Sequence, residues 1–170
     1  MIVSWGKRTF GGVEYDLCHL DPFTMQVTPK APGSPTYNVR VTFTCHTFTR
    51  EWCDTDAPDH KHQEGSEARA FCPIRYGHSQ HLEQLIRNAS VGKVRFNNQT
   101  PWVIPATIPG LDGPYAIYFN AIKARTPGLH VIVDVRSAHH KPTLNMRLPQ
   151  VTFATVIGNT AAGKPIKRPK

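Results

Sequence analysis

No apolar run in this 170-residue sequence approaches the roughly 20 residues that a membrane helix requires; Val131 to Val133 is typical of what it offers. The opening residues do not form a charged-then-apolar leader, and cysteine is sparse, at positions 18, 45, 53 and 72 only. Together these absences predict a cytoplasmic protein with reduced thiols, and argue against a secreted disulfide scaffold. Internal repeats and low-complexity tracts are also missing. The one approach to a glycine-rich phosphate loop, Gly158-x4-Gly163-Lys164, continues with Pro165 where Ser or Thr is required. Closely spaced pairs of zinc ligands are lacking too. Cys45 and Cys53 are separated by seven residues, Cys53 and His60 by six, and only His60-x-His62 is tightly paired.

What the chain does have is positive charge. Twenty Lys and Arg against twelve Asp and Glu give +8. The segment 51–70 holds six of the acids and only two bases, a local net of −4 that leaves +12 on the remaining residues. A basic body of this kind attracts polyanions, so RNA or another nucleic acid is the expected partner. The acidic segment is read as a loop that offers a second surface, suited to a protein partner. The tail 164–170 carries Lys164, Lys167, Arg168 and Lys170 and reads as a flexible phosphate-binding arm or a solubilising end.

Fifteen prolines and twelve glycines suit a loop-rich globular domain. Two-residue alternation is the clearest periodic signal. "YNVRVTFTC" places Val39, Val41, Phe43 and Cys45 on one face of a half-buried strand. "PYAIYFNAIKA", "LHVIVDVRSA" and "LPQVTFATVIG" are rich in β-branched and aromatic residues and read as further strands, with "TMQVT" and "KVRFN" as shorter ones. One helix is expected, at about 79–89, where Leu82, Leu85 and Ile86 follow Ser79 as its N-cap. The prediction is a single α+β domain over 1–163 with a curved, mostly antiparallel sheet and one main helix.

Three polar clusters fall at predicted element ends. His46 follows the strand that ends at Cys45 and has Thr47, Thr49 and Arg50 after it. Arg136, Ser137, His139, His140 and Lys141 end a second strand, and Arg75, Tyr76, His78, Ser79 and His81 lie at the mouth of the helix, where backbone amides favour an anion. Histidine exchanges protons near neutrality and guanidinium groups stabilise phosphate, which together suit RNA cleavage without a metal. In that scheme His46 and His139 share the acid and base roles, Arg75 and Arg136 hold the phosphate, and Ser137 or Tyr76 orients the substrate. Tyr118 is a candidate for stacking on a base. No cofactor is required. If the Cys/His segment binds zinc, its expected ligands are Cys53, His60, His62 and Cys72, while Cys45 reads as a core residue.

On this layout of a helix followed by antiparallel strands, with His, Arg, Ser and Tyr at element ends, the stretch from Phe71 to Lys170 resembles the metal-independent bacterial RNases and toxins that include the RelE-like and EndoU-like proteins. "FTCHTFTRE", "ARAFCPIRY" and "VRSAHH" are also similar to segments of small uncharacterised bacterial proteins. The resemblance implies a toxin-type endoribonuclease. A non-catalytic nucleic-acid- or protein-binding module, such as a regulator, is the alternative.

Overall fold

The alternation in 37–45 ends in a turn of 3-10 helix, and the strand before that turn belongs to a seven-stranded sheet. The structure, a computed structural model, describes residues 4–97 and 102–167. In chain order the strands are β1 (Lys7–Phe10), β2 (Val13–Asp16), β3 (Phe23–Val27), β4 (Tyr37–Phe43), β5 (Thr49–Glu51), β6 (Lys61–Glu64), β7 (Glu67–Phe71), β8 (Lys93–Phe96), β9 (Trp102–Ala106), β10 (Tyr115–Lys123), β11 (Val131–His140) and β12 (Gln150–Thr152). The helices are α1 (Pro73–Ser79), α2 (Leu82–Ala89) and α3 (Phe153–Ala162).

The large sheet has the order β12-β8-β9-β10-β11-β4-β3, and every neighbouring pair is antiparallel except β11 with β4. β1 and β2 form a hairpin, and β5-β7-β6 form a second, three-stranded sheet. This is the α+β class expected, in one domain with a mostly antiparallel sheet. Its core is built by strand parity. Val39, Val41 and Phe43 of β4, Val131, Val133 and Val135 of β11, and Tyr115, Ile117 and Phe119 of β10 are all buried. Helices pack on that face: Phe153 of α3 lies 5.7 Å from the Phe119 ring, and His78 of α1 lies 5.7 Å from Tyr115. The opposite face carries Thr24, Gln26, Asn38, Arg40, Thr42, Tyr118, Asn120 and Asp134, none of them buried.

Three expectations are corrected. The helix predicted over 79–89 starts at Leu82, and Ser79 does not cap it. Ser79 is instead the last residue of an earlier helix that Pro73 opens, since proline suits a first helical turn where its missing N–H costs nothing. The segment 148–158 is a strand only over Gln150–Thr152 and then becomes α3. Phe153, Val156 and Ile157, spaced three and four apart, are its buried side, and that helical period outweighs the β-branched content. The Thr152 hydroxyl accepts from the Thr155 N–H at 3.1 Å to cap the helix, which ends at Gly163 with φ +68°. The acidic segment 51–70 is no simple loop, because β6 and β7 form a hairpin turned at Gly65, whose φ of +59° glycine adopts without strain.

Candidate functional site

In the ladder between β10 and β11, Tyr118 pairs with Ser137 and Phe119 with Val135, so Arg136 is an extra residue in a β-bulge. The bulge decides the site. Without it, Ser137 and His139 would share the parity of Val131, Val133 and Val135 and point at the core. With it, Ala138 takes the buried place and Ser137 and His139 emerge on the polar face beside Tyr118.

They line a cleft of about 470 Å³ together with Arg136, Lys141, Thr143 and Asn145. The Tyr118 and His139 rings are stacked, with centroids 5.6 Å apart and 26° between planes, and Ser137 Oγ shares a 3.2 Å hydrogen bond with His139 Nδ1. Arg136 donates to Asp134 at 3.1 Å and remains exposed. A slightly larger cavity of about 510 Å³, near Thr28 and Ser90, has Lys30 and Lys93 as its ionisable groups and no histidine. The smaller cleft therefore holds the denser chemistry.

Burial depresses the His139 imidazole to about 4, and the positive charges of Arg75 and Lys141 act in the same direction. His139 is neutral at physiological pH, with one ring nitrogen an N–H donor and the other an acceptor. Burial also raises the Tyr118 phenol, which stays protonated and can donate.

The remaining predicted residues have other occupations. Arg75 Nη1 donates to the backbone carbonyls of Thr49 (2.7 Å) and His46 (3.3 Å), so this half-buried guanidinium fastens α1 to β5 and the turn before it and reaches His139 only through its charge. His46 lies in the 3-10 turn Cys45–Thr47, which packs against β11, but its ring turns to Glu67 at 3.3 Å and does not line the cleft. Tyr76 donates its hydroxyl to the Asp16 carbonyl and packs among Tyr15, Phe71 and His19. Arg136, Ser137 and His139 thus meet, while His46 and Tyr76 stand apart from them. Lys164 and Lys167 are exposed beyond α3, and Arg168 and Lys170 lie outside the described residues.

The four expected zinc ligands do not assemble. Cys53 is exposed, Cys72 precedes α1, and the His60 ring faces Phe71. Among the described residues the one group of three or more potential ligands whose donors converge is Cys45, His62 and Glu64, whose ligand atoms lie within 4.8 Å of one another. His62 was legible as a candidate ligand. Cys45 and Glu64 were not, because the pairing of β6 with β7 that brings His62 and Glu64 to Cys45, in the turn after β4, leaves no mark in ligand spacing.

The sequence profile of the YjaZ family matches residues 7–161, which include both the cleft and this Cys/His/Glu group. The chain belongs to the YjaZ family. The match spans all twelve strands and most of α3. Searches of curated proteins and of solved structures return no match. No helix among the described residues is long and apolar enough to cross a membrane.

Proposed function

We propose that this protein binds single-stranded RNA on the polar face of its large sheet, with the Tyr118–His139 cleft as the point of closest contact. The observation that carries the reading is the bulge at Arg136, which brings a stacked ring pair together with exposed cations in one concave site. Rings offer a stacking platform to a base regardless of its identity, and Arg136 and Lys141 supply the cations that a phosphate backbone seeks. Arg40, on β4 of the same face, extends the positive track.

A second reading, RNA cleavage without a metal, is favoured by the neutral His139 bonded to Ser137. Its unprotonated ring can accept the 2′-hydroxyl proton, although burial, by holding it at about 4, makes it a weak base. The acid partner foreseen for it, His46, faces Glu67 instead, so binding is the stronger reading.

One experiment addresses both. Fluorescence anisotropy of a labelled single-stranded RNA in EDTA, at several salt concentrations, measures affinity, and the same RNA run on a denaturing gel reports cleavage. Affinity should fall steeply with salt, and Arg136→Ala and Lys141→Ala should each reduce the salt slope by about 1. No binding by folded wild-type protein at low salt contradicts the proposal; shortened RNA that stays intact with His139→Gln moves the reading to catalysis.

A further inference from the structure

Cys45, His62 and Glu64 come from two separate parts of the chain. Cys45 opens the 3-10 turn that follows β4, while His62 and Glu64 stand two apart on β6 and so share a face of the small sheet. The β6–β7 register places His62 opposite Arg69 and Glu64 opposite Glu67, and that face covers the turn. The three ligand atoms lie within 4.8 Å of one another.

The surroundings are those of a built site. The His62 ring is held between Phe48 (5.3 Å), Trp5 (6.3 Å) and Phe10 (6.3 Å), which fix its orientation without using its nitrogens. Neither ring nitrogen has a hydrogen-bond partner among the described residues. Cys45 is fully buried, with its Sγ within 4.8 Å of both a His62 ring nitrogen and a Glu64 oxygen. Thr49 is buried next to it, with its hydroxyl oriented by Arg69 Nε at 2.8 Å. Arg69 is in turn neutralised by Glu67 at 2.7 Å, which limits its repulsion of a cation.

We propose that Cys45 Sγ, one His62 ring nitrogen and a Glu64 oxygen bind a zinc ion that fastens the β6–β7 hairpin to the end of β4. The donor set decides the metal. A thiolate and an imidazole select zinc over magnesium or calcium, and a single carboxylate completes a three-ligand set whose fourth position is left for water or an external ligand. Donors around tetrahedral zinc stand about 3.3 to 3.7 Å apart, from bond lengths of about 2.0 to 2.3 Å. The present separations, all within 4.8 Å, exceed this by about 1 Å at most, and metal binding draws the three donors together by that amount. Binding exchanges the thiol proton for the metal, and the proton leaves to solvent. The resulting thiolate and carboxylate balance the charge of the ion.

The site is independent of the RNA cleft, so the test is made without RNA. The full chain is stripped with a chelator, dialysed against one equivalent of zinc or cobalt, and examined by elemental analysis and by absorption. The expected result is one metal per chain, a thiolate-to-cobalt charge-transfer band, and a raised melting temperature. Cys45→Ser and His62→Gln should remove the band, and Glu64→Gln, at an exposed position that leaves the fold intact, should weaken binding at least tenfold. Cys53→Ser, Cys72→Ser and His60→Gln should leave all three signals unchanged. A wild-type chain that binds cobalt without the charge-transfer band, or retains no metal, overturns the proposal. So does a band that survives Cys45→Ser and disappears with Cys72→Ser.

Discussion

Tyr118 stands opposite Ser137 across β10 and β11, and the next pair in the ladder, Phe119 with Val135, skips Arg136. That one extra residue turns the end of β11 over. It separates a buried run of valines from a polar run that includes Ser137 and His139.

Deleting Arg136 should therefore leave a regular ladder in which Ser137 and His139 still face outward and Ala138 still faces the core. Circular dichroism and thermal unfolding should report a folded chain, whereas RNA affinity should drop with the loss of the guanidinium. Deleting Val135 instead moves a core residue out of register and should abolish cooperative unfolding.

Tyr118→Ala removes the ring that stacks on His139 and, in the proposed complex, on a base. The expected loss of RNA affinity is about 1 to 3 kcal/mol, while Tyr118→Phe should bind nearly as well as wild type. Anisotropy titrations of the two variants separate stacking from a role of the phenol hydroxyl.

His139 provides a pH signature. Its folded value of about 4 lies below the unfolded value of about 6.5, so the unfolded chain binds more protons between these limits. The stability linked to this group is complete above pH 6.5 and is lost as pH falls toward 4. Melting temperatures measured from pH 7 to pH 4.5 should decline less steeply in His139→Gln than in wild type. The difference should be on the order of 1 to 2 kcal/mol once solvent screening of this partly exposed ring is included.

Stability should also register the cap and core of α3. Thr152→Ala removes the side chain that accepts from Thr155 N–H and should cost about 1 kcal/mol. Phe153→Ala, at a fully buried ring against Phe119, should cost about 3 to 5 kcal/mol in denaturant unfolding.

The contrast between β4 and α3 shows what the sequence makes legible. Val39, Val41 and Phe43 alternate without interruption, so period alone places that strand and its buried face. In 148–158, Val151, Val156 and Ile157 suggest a strand by composition, yet the spacing of Phe153, Val156 and Ile157 is helical and tertiary packing follows the spacing. The site divides the same way. Arg136, Ser137 and His139 were visible as a local cluster, but the bulge that exposes them depends on a partner strand. Lys141 belongs to the same cluster, whereas Tyr118 and the Cys45–His62–Glu64 group are brought into place by contacts across 17 or more residues. Arg75 was legible as a cation near the site, and only the fold shows that its guanidinium is committed to backbone carbonyls.

The most direct test is to cross-link single-stranded RNA containing a photoreactive uridine to the wild-type protein and map the adducts by mass spectrometry. Adducts concentrated in residues 115–123 and 136–148, and lost with Tyr118→Ala, are the predicted result. Adducts confined to the small sheet or to the residues after α3, with the cleft peptides unmodified, would contradict it.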